Sequence, residues 1–437
     1  MRWGIVALLF LSNAIVFLDR TNLSVALPQI DAEFHIDPTL TGVLLSSFFW
    51  VYAVMQLPGG VIVDKINAKI MLASATLFWG IATVLMAFVN GIGTLFGLRI
   101  LLGIGESTTG PTYAKVTSAW FSQKERSVAT AIWDSGNRFG TAAALPGITW
   151  LTATYGWRWS FAISGLIAIA FVPIWWFFYN RAVARNVKLH AVDPSTMTDS
   201  IATAGNGDGA DAVRPTDSRV SWLSLLRLRP MWGLMVGYFC LLFVNYFFIT
   251  WFPAYLVDDR HFTAQMVGLM GVIPPATAMV ADWLGGLTSA YLLRRGTGLS
   301  IARKAPIVFG LLCASLIAFV PLIQGAWPVI IFLAIAFGGT TFASSCVWCL
   351  PAEVTPVPDR VGSVAGLQNF AGNGAGMIGP IIIGALYGAT GSFTAPLVLA
   401  GVIVFAGVLV YLFLVGPIRP MRHPAIDPAE QHEYIVH

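Results

Sequence analysis

Long apolar runs recur along most of this 437-residue chain and constrain its fold more than any other feature. Each run is close to or above the ~20 residues that an α-helix needs to cross the hydrocarbon core of a bilayer. The composition agrees, since 57% of the residues are hydrophobic and only 11% are charged. A soluble globule of this size needs far more polar surface. The sequence therefore predicts an all-α membrane protein embedded in a lipid bilayer.

The apolar runs number twelve, six on each side of one polar break. They predict spanning helices at 3–30, 40–63, 70–90, 92–117, 127–152, 158–179, 231–256, 265–292, 304–324, 328–350, 362–388 and 392–416. The break contains "STMTDSIATAGNGDGADAVRPTDSR", which is too polar to bury a core. The predicted domains are an N-terminal six-helix bundle at 1–180, a flexible linker at 181–229, a C-terminal six-helix bundle at 230–418 and a tail at 419–437.

The distribution of lysine and arginine predicts the orientation of the chain. These residues are concentrated in alternate connections and near the C-terminus, whereas the opposite connections offer only Arg158 and Arg260. By the positive-inside rule, both termini and the central linker are expected in the cytoplasm. A cleavable signal peptide is disfavoured, because no small-residue cleavage site follows the first apolar run.

Several function classes lack support in the sequence. No basic cluster is interleaved with stacking aromatics, so no nucleic-acid partner is expected. The six histidines are scattered and no Ser/His/Asp set stands out, so we expect no metal site, no cofactor and no enzymatic activity. The "CVWC" stretch has redox spacing, but Cys346 and Cys349 fall within an apolar span, as do Cys240 and Cys313, and packing is the favoured interpretation.

Two adjacent charges interrupt the first apolar run, in "FLDRTNLSVALP". Residues 3–18 make about 24 Å of helix, too short to cross a ~30 Å hydrocarbon core, so the helix must continue through Asp19 and Arg20. A lone charge at that depth costs at least ~2.5–3.5 kcal/mol on insertion scales. Such residues mark a transport path by default. The alternative is a structural ion pair that locks helices together.

The fourth span adds a second pair of charges, in "GLRILLGIGESTTGPTYAKV". Arg99 and Glu106 are seven residues apart and therefore share one helix face. Small residues between and after them permit close helix approach. If this face meets Asp19 and Arg20, the two arginines and two carboxylic acids share a water-filled pocket, which is a plausible binding site for an anion coupled to protons.

The coupling has a simple physical basis. A carboxylate in a low-dielectric site favours protonation, and a neighbouring arginine opposes it. When an anionic ligand takes the arginine, the acid loses its partner and binds a proton. Anion and proton then promote each other's binding, and this linkage is reciprocal.

The stretches "FLDRTNLSVALPQI", "LLSSFFWVYAVMQLPGGVIVDKINAK", "LRILLGIGESTTGP", "ITWFPAYL" and "NFAGNGAGMIGP" resemble the anion:cation symporter family of the major facilitator superfamily. The resemblance covers essentially the whole chain. It implies the major facilitator fold and proton-coupled import of a sugar acid of the galactonate, glucarate or hexuronate class. It also implies a bacterial inner-membrane location, small organic anions and protons as partners, and function as a monomer.

The resemblance also implies residue roles, carried over position by position. The proton-coupling acids of the galactonate type fall on Asp19 and Glu106. The positions that match substrate ligands are Arg20, Tyr52, Arg99, Asn137, Tyr238, Ser345, Trp348 and Asn369. The superfamily's gating loop motif appears as "GGVIVDKINAK", with Gly60, Asp64 and Lys65.

Several positions depart from that family pattern. Asn137 and Tyr238 each stand where the galactonate type has glutamine, and "SSCVWCLPAEV" carries an extra residue that shifts the register of Ser345 and Trp348. Asp134 and Arg138 are additional charges that either satisfy each other as an i,i+4 pair or offer Arg138 to a second substrate carboxylate.

The gating motif and its repeat differ as well. Asn67 replaces the usual glycine of the motif and is expected to adopt the left-handed turn. In the second-half counterpart "GGLTSAYLLRRG", Ala290 replaces the expected aspartate.

Helix-breaking residues are consistent with a moving transporter. Pro146, Pro274-Pro275 and Pro380 are expected to loosen their helices where bundles bend, although proline is also simply common in membrane helices.

Three functions compete on this sequence. A proton-coupled importer of an organic anion is favoured, with tartrate or an aromatic acid as alternatives to a sugar acid. A drug/proton antiporter of the same fold is disfavoured by two buried arginines, and a membrane enzyme or receptor by the missing catalytic sets.

Overall fold

A computed structural model describes residues 2–121, 123–190, 222–355 and 361–421, and within these ranges it contains helices and no β-strand. The chain divides into two compact units. The first comprises Met1–His35 and Ser47–Val213, and the second Ile36–Ser46 and Arg214–His437. The predicted all-α class is therefore confirmed for the described part of the chain.

Seven of the described helices lie before residue 191. They are α1 (Arg2–Phe34), α2 (Pro38–Lys65), α3 (Ala68–Met86), α4 (Ile92–Glu106), α5 (Thr109–Trp120), α6 (Gln123–Tyr155) and α7 (Trp157–His190). Helix α7 continues through the first ten residues of the predicted linker, 181–190, and the linker residues 191–221 lie outside the described part.

The rest of the described chain is also helical. Its α-helices are α8 (Trp222–Leu225), α9 (Arg229–Thr250), α10 (Phe252–Ala254), α11 (Ala264–Met270), α12 (Ile273–Arg294), α13 (Leu299–Ser315), α14 (Ala326–Val347), α15 (Leu350–Val354), α16 (Val361–Thr390) and α17 (Thr394–Leu409). Tyr255–Asp259 and Val410–Leu414 are π-helical, and Leu316–Leu322 forms a 3₁₀ helix.

Ten helical segments among the described residues are long and apolar enough to cross a membrane. The predicted spans at 92–117 and 127–152 are not among them. The first is divided between α4 and α5. The second lies in α6, which carries Asp134, Asn137 and Arg138 in its middle. Of the twelve predicted spanning helices, ten are thus supported.

Helix α4 ends at Glu106, where the sequence analysis predicted an uninterrupted helix. A run of hydroxyl side chains follows, and each bonds to the carbonyl three residues earlier: Ser107 to Ile104, Thr108 to Gly105 and Thr109 to Glu106. Serine and threonine hydroxyls that bond locally compete with the regular helical ladder. The turn at Ser107 and Thr108 therefore follows directly after the buried acid.

The prolines predicted to break helices occupy different positions in their helices. Pro146 and Pro380 lie inside α6 and α16, which continue through them, so neither proline ends its helix. Pro274 and Pro275 instead occupy the first turn of α12, where a proline loses no intrahelical hydrogen bond.

The loop after α2 differs from its prediction at one residue. Asn67 has φ −58°, so the expected left-handed turn is wrong. Its side chain instead accepts a hydrogen bond from the Lys69 amide and caps α3, as asparagine does at helix starts. Gly60, Asp64 and Lys65 are helical, but their side chains lie outside the described part of the structure.

Helices α1 and α6 approach closely at two glycines. A Cβ added at Gly136 would meet the Phe10 carbonyl, and one added at Gly140 would meet the Ala14 carbonyl. Each added Cβ would meet a backbone carbonyl, so no flexible side chain can move aside to make room for it. Small residues at such interfaces are typical of membrane helix packing.

Gly140→Ala is expected to destabilise the first unit by about 1–3 kcal/mol through overpacking. Gly147→Ala is the matched control, because nothing lies within 4 Å of its added Cβ in the same helix. Thermal unfolding in detergent checks this: a lower Tm for the Gly140 variant alone is expected, and equal Tm values for both variants would contradict the packing argument.

Candidate functional site

Helix α1 carries two charged residues, Asp19 and Arg20, deep inside the first unit. Asp19 is 1% exposed and Arg20 is 8% exposed. Successive helical residues are rotated by about 100°, so the two side chains leave the helix in different directions. Each therefore meets a different set of neighbours.

Arg20 forms a buried ion pair with Glu106 at the end of α4. Arg20 Nε donates to Glu106 Oε2 at 2.7 Å, and Glu106 is fully buried. The other carboxylate oxygen, Oε1, has no hydrogen-bond partner among the described residues. The first and fourth predicted spans thus meet through their charges, as the sequence analysis required. The Glu106 carboxylate is thus only half satisfied by hydrogen bonds, and its Oε1 can take a proton or accept a hydrogen bond from a ligand.

Aromatic rings enclose the Arg20 guanidinium. Its Cζ lies 4.8 Å from the Phe17 ring centroid, 4.7 Å from that of Phe48 and 4.6 Å from that of Tyr52. Phe48 and Tyr52, one turn apart on α2, stack with their centroids 5.2 Å apart. Cation–π attraction strengthens when the cation is desolvated, so these rings stabilise a charge that has little access to water.

Arg99 lies against the same aromatic group, with its Cζ 5.3 Å from the Phe48 ring centroid. It is 3% exposed, and its Nε and Nη1 have no hydrogen-bond partner within the described part of the chain. A Cβ added at Gly103, between Arg99 and Glu106, would lie 2.6 Å from the Phe48 carbonyl, so glycine lets α4 approach α2. The face shared by Arg99 and Glu106 is therefore the face that meets Phe48.

Asp19 is a buried acid that lies close to Arg99 and Glu106. Neither of its carboxylate oxygens is hydrogen-bonded among the described residues. Arg99 and Glu106 interact electrostatically with it, and its nearby polar neighbours are Trp79 on α3 and Ser164 on α7. The four charges predicted as one cluster are linked through Arg99, which interacts electrostatically with Asp19, Arg20 and Glu106. They are almost completely enclosed in this structure, in contrast to the water-filled pocket expected from the sequence.

The chemistry of this cluster suits an anion. A buried donor without a partner is costly, so unsatisfied guanidinium nitrogens point to a ligand or to water. A guanidinium binds a carboxylate with two parallel hydrogen bonds. Arg99 Nε and Nη1 lack a partner in the described ranges and can each donate to an oxygen of an anion, and Asp19 and Glu106 beside them offer two proton acceptors.

Asn137 lies elsewhere in the first unit. Its Nδ2 donates to Asp134 at 3.4 Å, and its Oδ1 accepts from Arg138 at 2.9 Å. The neighbouring Gly136 packs against Phe10, about three turns before Arg20 on α1. Among the described residues, the side-chain hydrogen bonds of Asn137 thus go to Asp134 and Arg138 and not to the Arg20–Glu106 pair. The i,i+4 interpretation of Asp134 and Arg138 is supported, since Nη1 and Oδ2 lie 3.5 Å apart.

The second unit brings together some of its own predicted site residues. Tyr238 and Trp348 form an edge-to-face pair with ring centroids 5.7 Å apart. The Ser345 hydroxyl donates to the Phe342 carbonyl at 2.9 Å. Asn369 accepts a hydrogen bond from Asn373, a residue that the sequence analysis did not single out.

Sequence reasoning also missed Phe17 and Phe48 as partners of the arginines. Each is a common apolar residue in an apolar helix, so neither stands out by type. The available signal is the spacing of Phe48 and Tyr52, which places two rings one above the other on α2.

The sequence profile of the Major Facilitator Superfamily matches residues 9–380. This chain belongs to that superfamily. A "Probable galactarate/D-glucarate transporter GudP" of Escherichia coli is 34% identical over 430 residues, covering 96% of this chain and 94% of that protein. A "D-galactonate transporter" of Escherichia coli is 30% identical and covers 96% of each chain. The resemblance found in the sequence is therefore confirmed, and the relatives are named as transporters rather than enzymes.

A solved structure supports the fold. The crystal structure of a bacterial homolog to the human lysosomal transporter Spinster, in an inward-facing and occupied conformation, superposes with a TM-score of 0.74. It covers 94% of this chain and 96% of that chain at 17% sequence identity, which is a likeness of fold alone.

Proposed function

We propose that this protein is a proton-coupled symporter that imports a sugar acid, with galactarate and glucarate as the first candidates. The observation that carries the proposal is the half-satisfied Arg20–Glu106 pair beside Arg99 and Asp19. Nε and Nη1 of Arg99 and both carboxylate oxygens of Asp19 have no partners in the described ranges. The names of the relatives supply the substrate class.

The proposal includes the finer architecture. Twelve spans form two six-helix bundles, at 1–180 and 230–418, joined by the cytoplasmic linker 181–229 and followed by a cytoplasmic tail at 419–437. The protein resides in a bacterial inner membrane and acts as a monomer by alternating access.

The coupling mechanism follows from the charges. A substrate carboxylate binds the available nitrogens of Arg99 and competes with Glu106 for Arg20. Glu106 then loses its cationic partner and takes a proton, so that no unpaired anion remains in the low-dielectric interior. Asp19 serves as the second proton acceptor. Because linkage is reciprocal, protons from the outside also favour substrate binding there.

The remaining predicted residues are assigned supporting roles. Tyr52 packs on the Arg20 guanidinium and presents its hydroxyl to the substrate. Tyr238, Ser345, Trp348 and Asn369 are proposed to contact the polyhydroxylated chain of the acid. Asn137 is given an indirect role, because its hydrogen bonds go to Asp134 and Arg138.

The proposal is tested with purified protein in proteoliposomes under an imposed pH gradient. Wild-type protein is expected to accumulate labelled galactarate or glucarate when the outside is acidic, and not when the gradient is absent. A panel of galactonate, gluconate, glucuronate, galacturonate and tartrate ranks the substrates by competition and by the rise in Tm that ligand binding causes. Accumulation of none of these acids, or gradient-driven export of a lipophilic cation, would contradict the symporter assignment.

A further inference from the structure

A groove of about 730 Å³ runs along the C-terminal part of α7 in the first unit. Six residues line it: Val172, Pro173, Trp176, Phe177, Asn180 and Arg181. They form two rows with a spacing of four residues, so each row follows one side of the helix. In each row two apolar residues are followed by a polar or charged one. A groove that is apolar along its length and polar at one end fits an amphipathic ligand better than a small ion.

Tryptophan side chains place the polar end of this groove at a membrane surface. Trp159 and Trp176 of α7 are 58% and 43% exposed. They are 17 positions apart, about 26 Å along a helix that rises 1.5 Å per residue. Tryptophan is enriched at both interfaces of the ~30 Å hydrocarbon core, and Trp157–Arg181 is long and apolar enough to cross it. The Arg181 guanidinium therefore lies at the level of the lipid headgroups.

A second cation lies at the same end of the groove. Lys69 Nζ donates to Asn180 Oδ1 at 2.9 Å and lies 3.7 Å from the Trp176 ring centroid. The Lys69 carbonyl accepts from Trp175 Nε1 at 3.0 Å, which holds the start of α3 against α7. Among the described residues, neither Lys69 nor Arg181 forms an ion pair with a carboxylate. The two cations thus meet no neutralising acid in the described part of the chain.

We propose that this groove binds an anionic phospholipid, with its phosphate between Lys69 and Arg181 and an acyl chain along Trp176 and Phe177. Basic side chains at the membrane surface attract anionic headgroups, and the apolar rows bind the chain. A zwitterionic lipid carries a cation of its own, which the two basic residues repel. Free phosphate gains nothing from the apolar rows. The inference goes beyond sugar-acid transport and holds whichever substrate the protein carries.

Native mass spectrometry of delipidated protein in detergent tests the site. Phosphatidylglycerol and phosphatidylethanolamine with the same acyl chains are titrated separately, and phosphatidylglycerol is expected to bind more tightly. Arg181→Gln should weaken phosphatidylglycerol binding roughly fivefold, the effect of one basic residue near an anionic surface. Its binding of phosphatidylethanolamine should stay the same. The Tm of the lipid-free variant should also stay the same, because Arg181 has no hydrogen bond or ion pair among the described residues.

Arg158→Gln is the matched control at the other end of α7. Arg158 also lies over a tryptophan ring, with its Cζ 4.3 Å from the Trp157 centroid. Its charge is paired with Glu33 at 2.6 Å, so its removal should leave phosphatidylglycerol affinity unchanged. Lys69→Gln is a second test variant, since glutamine can still donate to Asn180 but carries no charge. It should weaken phosphatidylglycerol binding in the same direction as Arg181→Gln.

Three results would overturn the inference. The first is equal affinity of the wild-type protein for the two lipids. The second is wild-type phosphatidylglycerol affinity in both Arg181→Gln and Lys69→Gln. The third is displacement of phosphatidylglycerol by millimolar inorganic phosphate, which would show a site for a free anion. A higher Tm of the wild-type protein with phosphatidylglycerol, and a smaller rise in the two variants, would support it.

Discussion

Arg99→Ala is expected to lower galactarate affinity by roughly 30-fold or more while leaving the protein folded. Losing one side of a buried, hydrogen-bonded charge pair costs about 2–5 kcal/mol, and each 1.4 kcal/mol is tenfold. The alanine orphans no hydrogen bond at Arg99 Nε and Nη1, which have no partner among the described residues. It does remove the packing of Arg99 on Phe48 and its attraction to Asp19 and Glu106, so a lower Tm is expected as well. Ligand-binding titration and thermal unfolding of the same preparation measure the two effects.

Two further variants serve as comparisons for Arg99→Ala. Arg99→Lys keeps the positive charge but loses the planar fork, so we expect an intermediate loss of affinity. Arg158→Ala removes an arginine of the same unit that is 37% exposed and paired with Glu33, and it should leave affinity unchanged. Wild-type affinity in Arg99→Ala would exclude this residue as a ligand of the anion.

Glu106→Gln is expected to separate substrate movement from proton movement. Glutamine has nearly the same shape and still accepts a hydrogen bond from Arg20 Nε, which Glu106 Oε2 accepts at 2.7 Å in the wild type. It cannot take up a proton. Exchange of internal for external galactarate is therefore expected to continue, whereas accumulation driven by a pH gradient is expected to fall to the level of simple equilibration.

Glu33→Gln is the matched control for that experiment. Glu33 also pairs with an arginine in the first unit, but it is 40% exposed at the end of α1. Its neutralisation should leave accumulation intact. Uphill accumulation by the Glu106 variant would instead assign the coupling proton to another residue.

Much of the site was predictable because charge is rare in these helices. Asp19, Arg20, Arg99 and Glu106 stand out by type alone, and helix length places the first two at membrane depth. The seven-residue spacing of Arg99 and Glu106 correctly predicted a shared face. The same reasoning predicted the all-α class, since apolar runs of this length typically form membrane-spanning helices.

Other features depended on contacts that sequence patterns do not encode. The turn at Ser107 and Thr108 arises because hydroxyls bond to the preceding carbonyls, although the apolar pattern continues across it. Asn67 caps α3 instead of adopting the left-handed turn, and asparagine is common in both roles, so its type alone did not decide between them. Asn137 pairs with its own helix neighbours, so its alignment with a glutamine position did not fix its contacts.

The central claim is that an anion displaces Glu106 from Arg20 and thereby causes proton binding. Proton uptake on adding galactarate to purified wild-type protein, in weakly buffered detergent solution near neutral pH, tests this most directly. The account predicts that the medium becomes more alkaline as the site fills, and that the signal shrinks in Glu106→Gln at equal occupancy. Saturating galactarate binding with no change in pH, or an undiminished signal from that variant, would contradict it.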